Sequence, residues 1–363
     1  MTRIAPVIPA LTGLRGIAAW WVVFYHFKEI FPSTGFTVFN TVLNDGFLAV
    51  DLFFVLSGFI ISLNYSNRFE TFSWREYGHF LGLRLGRIYP LHLFMMIVFL
   101  LNPLAITLAS HQHAVGNRYG AAYYAMSVVL IQNWGFTDSL AWNVPAWSIS
   151  AEWFAYLVFP CIAILGRWAS TIWRAIAGLL ISIIILHYVI QLARGDIAQN
   201  GLLRCLLEFL AGNLVYRLSQ DQIVARTFVS RGAMLFCLVL IAAMVVFQMP
   251  SYPISALAWS ALIFGLIRKD GIFSRFLSLS PVVWIGEYSY STYLVHYFVR
   301  DWIKFAMAGS EPQSLLWLTV YVLATAICSF FLYRLIEVPG RRFVRNLVNG
   351  RGTPSLAGGA PMS

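Results

Sequence analysis

Long apolar stretches dominate this sequence and restrict the chain to a helical membrane fold. Hydrophobic residues make up 59% of the chain and charged residues only 11%, whereas charged residues approach a quarter of a soluble globular domain. The stretches are continuously apolar and do not alternate, so they indicate α-helices and not the strands of a membrane barrel. We predict an all-α integral membrane protein with about ten transmembrane helices, near residues 8–28, 44–65, 88–109, 148–166, 173–192, 202–218, 231–249, 254–268, 283–305 and 314–337.

The distribution of basic residues predicts the orientation of these helices. If the N-terminus lies in the cytoplasm, seventeen of the 25 Lys and Arg residues fall on the cytoplasmic side and six on the outer side. Membrane proteins concentrate basic residues in their cytoplasmic loops, so this bias predicts that both termini are cytoplasmic. We attribute the net charge of +10 to the same bias and not to nucleic-acid binding.

The chain is expected to form one membrane domain over residues 1–345. A Gly-, Pro- and Ser-rich tail, residues 346–363, follows it and is predicted to be disordered and cytoplasmic. The longest outer loop, about residues 110–147, is rich in Tyr, Trp, Asn and Gln, a composition typical of binding surfaces.

The first apolar stretch carries two ionisable residues, Arg15 and His26, and Arg15 is its only formal charge. An arginine at the centre of a membrane helix costs roughly 2.5–3.5 kcal/mol, so arginines kept there usually have a function. Eleven positions separate the two residues. At about 100° per residue their side chains share one helix face, about 16 Å apart along the axis. A cation and an imidazole on one face of a membrane helix indicate a functional site.

Two carboxylates are expected at a membrane depth similar to that of His26. With the predicted orientation, Asp51 lies about 10 Å below the outer end of the second span, and Glu152 lies near the outer end of the fourth. A histidine with a carboxylate neighbour forms a general base with an orienting partner, so we predict His26, Asp51 and Glu152 as catalytic residues. The alternative is a buried polar network that only holds the helices together.

A pair of arginines, Arg84 and Arg87, lies at the predicted cytoplasmic face. The two are three residues apart and therefore neighbours on a helix. Paired guanidinium groups bind phosphate well, which predicts a site for a phosphorylated ligand. Anchoring of the helix by positive charge explains the pair equally well.

Several other ionisable residues are weaker candidates. Arg204 and Glu208 are four residues apart in one span, where a buried ion pair explains them as well as catalysis does. His296 fits a hydrogen-bonded packing residue better than a base, and Glu337 is expected to meet cytoplasmic arginines. No metal site is predicted, since the loop histidines His111 and His113 lack a third ligand.

These residues fall in blocks that together resemble acyltransferase family 3, membrane-bound O-acyltransferases that modify bacterial surface glycans and some secondary metabolites. The resemblance covers most of the chain, and its specificity comes from the order of the blocks. They are Leu11–Gly16 followed by His26, Gly46–Phe59, Arg84–Pro90, Trp147–Ser148 with Glu152 and Tyr156, Gly286–His296, and Glu337–Pro339. The family often has two consecutive glutamates where this chain has Glu152-Trp153, so only Glu152 is carried over.

The resemblance implies an acyl-CoA donor, with acetyl-CoA expected, and an acceptor hydroxyl on a carbohydrate or glycolipid. Arg15, Arg84 and Arg87 would bind the CoA phosphates. His26 would deprotonate the acceptor or carry the acyl group transiently, with Asp51 orienting it, and Glu152 would bind the sugar or assist proton transfer. No tightly bound cofactor is implied.

The resemblance further implies a multi-pass protein of the bacterial inner membrane, in contact with membrane lipid. No esterase-like domain follows the membrane domain, so we expect the chain to act alone or with separate glycan-assembly proteins.

Two other classes of function remain open on the sequence. Buried Arg, His and Asp residues also build proton relays, so a secondary transporter or a flippase of a lipid-linked sugar is the main alternative. A catalytically idle scaffold is the third, although a scaffold has no use for Arg15 and His26. The acceptor also stays open among lipopolysaccharide, exopolysaccharide, lipochito-oligosaccharide, peptidoglycan and a macrolide-type metabolite.

Overall fold

The computed structural model describes residues 8–30, 37–110, 117–192, 197–221, 227–247, 251–267, 271–307 and 315–350. Within these ranges the regular structure is helical, as the apolar stretches predict. In chain order the α-helices are α1 Pro9–His26, α2 Thr37–Asn44, α3 Ala49–Tyr65, α4 Trp74–Phe99, α5 Leu101–Ser110, α6 Ala121–Val128, α7 Trp147–Leu157, α8 Phe159–Trp168, α9 Ile172–Leu192, α10 Ile197–Gln220, α11 Thr227–Phe247, α12 Ser251–Leu266, α13 Ile272–Leu277, α14 Ser280–Ala306, α15 Leu315–Leu332 and α16 Val338–Gly350.

Each predicted span coincides with at least one of these helices, so the all-helical prediction is confirmed. By length and composition, four helical segments of the described chain are suited to cross a membrane: Val38–Phe69, Trp74–Leu108, Ile172–Leu192 and Leu315–Gly350. The pair Val144–Leu157 and Phe159–Trp168 adds a fifth if it is taken as one bent span. The full number of ten crossings stays a prediction.

The fourth predicted span is broken into two helices. α7 ends at Leu157, α8 begins at Phe159, and their axes differ by 65°. Pro160 lies in the first turn of α8. Proline has no backbone N–H, and its ring clashes with the carbonyl group four residues earlier, so it stops α7 and starts α8.

The third predicted span begins earlier than expected. α4 starts at Trp74, although the apolar pattern places the start of the span near residue 88. The added turns pack against α16, where Gly82 and Gly86 leave space for the side chains of Val348 and Val344. Arg84 and Arg87 therefore lie within α4, as the helical spacing predicts.

α1 and α14 approach each other closely. A Cβ atom at Gly286 would lie 1.9 Å from the carbonyl oxygen of Thr12, and one at Gly16 would lie 2.6 Å from the backbone nitrogen of Gly286. Only glycine permits this separation, because any side chain would collide with the facing backbone. The N-terminal part of α1 meets the N-terminal part of α14, and the later turns of the two helices also meet, so they run in the same direction.

The described part of the long outer loop, residues 117–146, folds back against α14. Asn143 Nδ2 donates a hydrogen bond to the carbonyl oxygen of Leu294 (3.1 Å), and the Tyr293 hydroxyl donates one to that of Pro145 (2.9 Å). Trp142 adopts a left-handed backbone conformation with φ 54°. Its indole Nε1 donates to the Gly120 carbonyl (3.0 Å). This loop therefore covers α14 beside the C-terminal end of α1.

The C-terminal part of the chain contains a π-helical turn, Tyr333–Glu337, between α15 and α16. π-turns inside helices are rare and often occur at functional sites. The turn directs Glu337 into the protein, where the residue is buried. α16 continues to Gly350, so residues 346–350 are helical although the sequence predicted a disordered tail from residue 346. Residues 351–363 lie outside the described ranges.

Candidate functional site

Arg15 is held against α14 by neutral groups. Its Nε donates a hydrogen bond to Ser289 Oγ (2.8 Å), and its Nη2 donates to the carbonyl oxygen of Gly286 (2.9 Å). Within the described chain no carboxylate is hydrogen-bonded to this guanidinium. The side chain is therefore oriented while its positive charge is left uncompensated at contact distance, which suits a residue that binds an anion.

His26 contacts the same helix, about three helical turns further along α1. Its Nδ1 lies 3.0 Å from the carbonyl oxygen of Val22 and 3.3 Å from Nε2 of His296 on α14. The ring of Tyr297 stands edge-on to the imidazole, with ring centres 5.4 Å apart. Arg300 Nε donates to the backbone carbonyl of His26 (2.7 Å). The prediction that Arg15 and His26 share one helix face is thus confirmed.

Asp51 does not orient His26, contrary to the prediction. Both Nε (2.7 Å) and Nη2 of Arg204 donate to Asp51 Oδ1, and the Ser255 hydroxyl donates to Oδ2 (2.8 Å). The prediction placed Asp51 at a suitable depth but could not identify the helix that packs beside it. That helix is α10, whose Arg204 compensates the charge of the carboxylate and donates both hydrogen bonds to its Oδ1.

Glu208 belongs to the same buried group as Asp51. Its Oε1 lies 3.6 Å from Nε of Arg204, and all three side chains are 0–1% exposed. The rings of Tyr252 and Trp147 cover the guanidinium, with centres 4.3 Å and 5.6 Å from it. Of the two interpretations of Arg204 and Glu208, this burial favours the ion pair over a catalytic role.

Glu152 lies with two hydroxyl groups and not with His26. The Ser57 hydroxyl donates to its Oε1 (2.5 Å), and so does the Tyr156 hydroxyl (2.6 Å). The outer loop enters the protein before α7 begins, because Pro145 and Ala146 are already buried. Glu152 also acts electrostatically on Arg15.

The two arginines of α4 take different partners. Arg84 Nη2 donates to the hydroxyl of Tyr65 (3.1 Å), and its guanidinium lies over that ring. Arg87 donates to Oε1 of Glu337, whose Oε2 accepts from Ser291 Oγ (2.7 Å). The expectation that Glu337 meets an arginine is confirmed.

Arg15, Arg84 and Arg87 belong to one charged group. Arg15 interacts electrostatically with Arg87, Glu337, Arg341 and Glu152. Arg84 adds a further cation, since it and Glu152 both act on the hydroxyl of Tyr156. Four guanidinium groups and two carboxylates therefore contribute to this charged group, and the excess of positive charge favours an anionic ligand. The structure thus brings together the three arginines predicted to bind a phosphorylated donor.

Just beyond the C-terminal end of α1, an ion pair joins the chain to α14. Lys304 Nζ donates to the carboxylate of Glu29, and this hydrogen bond is the main reason that the pKa of Glu29 lies below its ordinary value. The pair is largely exposed, so it holds the two helix ends together weakly.

Sequence reasoning underrated His296 and did not single out Ser57. His296 stood in the Gly286–His296 block that carried part of the family resemblance, and Ser57 stood in the Gly46–Phe59 block. Because a buried histidine is more often a packing residue than a base, His296 was predicted to be one despite its place in that block. The loop histidines His111 and His113 lie outside the described residues.

Comparison with known proteins extends the similarity over nearly the whole chain. A profile described as an acyltransferase domain matches residues 8–334. The chain is 28% identical to Acyltransferase MdmB of Streptomyces mycarofaciens, over 93% of this chain and 92% of that protein. It is 26% identical to O-acetyltransferase OatA of Staphylococcus aureus and 23% identical to Peptidoglycan O-acetyltransferase OatA of Listeria monocytogenes, in each case over 92% of this chain.

The chain spans only 57% and 56% of the length of these two OatA proteins. No solved structure matches it. The profile match nevertheless runs through all but one of the blocks recognised in the sequence, from the Arg15–His26 segment to the Gly286–His296 segment. This chain belongs to acyltransferase family 3.

Proposed function

We propose that this protein is a membrane O-acyltransferase that moves an acyl group, with acetyl expected, from acyl-CoA to a hydroxyl group of a sugar. The observation that carries the proposal is the contact between α1 and α14. It presents a guanidinium held only by neutral acceptors and, further along the same face, an imidazole whose Nε2 has no hydrogen-bond partner among the described residues.

The donor would bind at the inner group of arginines. Arg15, Arg84 and Arg87 would bind the phosphates of CoA, since guanidinium groups form paired, charge-assisted hydrogen bonds with phosphate oxygens. The pantetheine arm would then extend along the face between Arg15 and His26. That face is about 16 Å long, so the thioester would reach the imidazole while the phosphates stay with the arginines.

The reaction would use His26 as the base. Nε2 takes the proton of the acceptor hydroxyl, and the hydroxyl oxygen attacks the thioester carbonyl carbon. The carbon–sulfur bond breaks, and the departing thiolate takes the proton from Nε2, so that an ester and free CoA result. Transient acylation of His26 is the second route to the same products.

Glu152 would act beside this path. Its carboxylate is hydrogen-bonded to Ser57 and Tyr156, so these two hydroxyl groups are held in place by one acceptor. Such a group can bind the hydroxyls of a sugar or assist the proton transfer. Asp51 would have no direct part in the chemistry.

The membrane setting would separate the two substrates. With ten spans and both termini in the cytoplasm, the arginines would face the cytoplasmic pool of acyl-CoA and His26 would face the outer side of the inner membrane. The acceptor would be a carbohydrate or glycolipid supplied by separate glycan-assembly proteins. Because one relative is named a peptidoglycan O-acetyltransferase, peptidoglycan is the first acceptor to test.

The test is ester formation by purified protein in lipid nanodiscs. Radiolabelled acetyl-CoA is supplied with peptidoglycan strands, lipopolysaccharide or exopolysaccharide, and base-labile label on the acceptor is measured. We expect label with the wild-type protein and none with His26→Ala. The control is His187→Ala, which removes an exposed histidine of α9. Acetyl-CoA that stays intact with every acceptor would favour the transporter alternative, since a transporter makes no ester.

A further inference from the structure

We propose that His296 is a positioning residue that accepts the Nδ1 proton of His26 and thereby leaves Nε2 of His26 as the basic nitrogen. The inference deepens the proposed function and rests on it for its catalytic meaning. The juxtaposition itself, an imidazole of α14 against an imidazole of α1, stands independently of that function.

Three contacts determine where the two rings carry their protons. His26 Nδ1 lies 3.0 Å from the carbonyl oxygen of Val22, and His296 Nδ1 lies 3.2 Å from that of Thr292. A carbonyl oxygen only accepts hydrogen bonds, so each Nδ1 must carry a proton to make its contact. A neutral imidazole has one N–H, which leaves both Nε2 atoms unprotonated.

The third contact agrees with this assignment. His26 Nδ1 and His296 Nε2 are 3.3 Å apart, so the Nδ1 proton of His26 is shared between the Val22 carbonyl and the lone pair of His296. If His296 carried its proton on Nε2, that N–H would face the Nδ1–H of His26, and the lone pair of His296 Nδ1 would face the Thr292 carbonyl. If His26 carried its proton on Nε2, the lone pair of its Nδ1 would face the lone pair of His296 Nε2. Only the arrangement with a proton on Nδ1 of both rings satisfies all three contacts.

The packing around His296 fixes its position. The residue is fully buried, and its ring lies 5.9 Å from the ring of Tyr293 and 6.3 Å from that of Tyr297. The close contact of α1 with α14 at Gly16 and Gly286 holds the two helices in register. His296 is therefore a preorganised acceptor that does not have to move when His26 reacts.

The charged groups around the pair make this acceptor important. Arg300 donates a hydrogen bond to the backbone carbonyl of His26, and the rings of Tyr25 and Tyr297 contact its imidazole. No described carboxylate is hydrogen-bonded to either histidine. The lone pair of His296 is thus the side-chain group that can support the positive charge formed when Nε2 takes the hydroxyl proton, because a hydrogen bond from a charged donor is stronger than one from a neutral donor.

The proton count is unchanged by this role. The acceptor proton enters at Nε2 of His26 and leaves from Nε2 to the thiolate of CoA. The Nδ1 proton stays on His26 throughout and only strengthens its hydrogen bond to His296 in the charged state. No further acid, base or oxidant is required.

A direct test is nitrogen NMR of the protein in nanodiscs with ¹⁵N-labelled histidine, of which the chain has seven. The variants His26→Gln and His296→Gln assign the two signals. We expect both residues as Nδ1–H tautomers, with a scalar coupling across the hydrogen bond between His26 Nδ1 and His296 Nε2. A proton on Nε2 of either ring, or no coupling between the two nitrogens, would overturn the inference whether or not the protein makes an ester.

The activity test compares His296→Gln with His296→Leu. The glutamine amide oxygen can replace the lone pair of Nε2, whereas leucine fills the space without an acceptor. We expect kcat to fall about 10²-fold in His296→Leu and to stay within about tenfold of wild type in His296→Gln, with KM for acetyl-CoA unchanged in both. A kcat for His296→Leu equal to that of the wild type would contradict the positioning role.

The matched control is His92→Leu. His92 is also buried in a helix, and its Nε2 contacts the carbonyl oxygen of Ser127 (2.8 Å), but it lies outside the site. This variant should lose stability without losing kcat. Absence of product from the wild type with every acceptor would count against the proposed function, and the NMR result would still decide the hydrogen bond.

Discussion

The contact of α1 with α14 and the contact of α3 with α10 are built alike but treat charge differently. Both use glycine to bring backbones together: a Cβ atom at Gly58 would lie 2.0 Å from the carbonyl oxygen of Phe209, much as one at Gly286 would collide with Thr12. Both also carry ionisable groups within apolar helices. The difference lies in what those groups bind.

In the α3–α10 contact the charges bind each other. Asp51 and Arg204 are hydrogen-bonded, Glu208 is adjacent, and the three side chains are 0–1% exposed. In the α1–α14 contact Arg15 and His26 are only partly buried, and they meet a hydroxyl, carbonyl oxygens and a second imidazole. The charges of the α3–α10 contact are thus compensated within the protein, whereas the α1–α14 contact holds a guanidinium and an imidazole by neutral partners, which suits the binding of a ligand.

The largest expected effect is on activity, at the α1–α14 contact. His26→Ala should lower kcat about 10³–10⁴-fold, because it removes the base. Its melting temperature should change by less than about 4 °C, since the ring is partly exposed and its main partners are neutral. Kinetics and thermal unfolding of the same preparation measure both. A large loss of stability with unchanged kcat would reverse the comparison.

Arg204→Met should have the next largest effect, and it should be on stability. The substitution leaves two buried carboxylates without their cation, for which we expect a loss of about 3–5 kcal/mol in the free energy of unfolding. Asp51→Asn should be milder, because Glu208 can then pair with the guanidinium. Denaturant titration of the detergent-solubilised protein measures the difference. Equal stability of Arg204→Met and wild type would mean that this cluster does not support the fold.

Arg15→Gln should affect donor binding. The variant keeps hydrogen-bonding capacity toward Ser289 but loses the positive charge, so KM for acetyl-CoA should rise about 10- to 100-fold, the equivalent of a charge-assisted hydrogen bond of about 1.5–3 kcal/mol. kcat at saturating donor should change little. An unchanged KM would show that Arg15 serves the packing of α14 and not the donor.

The smallest effect is expected for Glu29→Gln, which removes one partner of the ion pair with Lys304. The exposed pair with Lys304 should contribute about 0.2–1 kcal/mol. The pKa of Glu29 is lowered by Lys304. The stabilisation is therefore present above the ordinary glutamate pKa of about 4.3 and is lost as the pH falls through and below that value. The melting temperature should depend less on pH in this range for Glu29→Gln than for the wild type.

Much of the fold and part of the site could be predicted because they depend on local sequence. The apolar stretches located the helices, and the spacing of Arg15 and His26 placed both side chains on one face. Pro160 is a signal for the break between α7 and α8, but the continuous apolar pattern led to the prediction of a single span. The prediction that Asp51 orients His26 was wrong, because the depth of a residue along its own helix does not identify the helix beside it.

The sequence by itself determined an all-helical membrane protein, the face shared by Arg15 and His26, and membership of acyltransferase family 3. Only the tertiary structure decided which polar groups are paired: Asp51 with Arg204 across 153 positions, Arg87 with Glu337 across 250, and His26 with His296 across 270. The physical reason is that helix formation and membrane burial depend on neighbouring residues. The compensation of a buried charge depends on whichever helix packs against it.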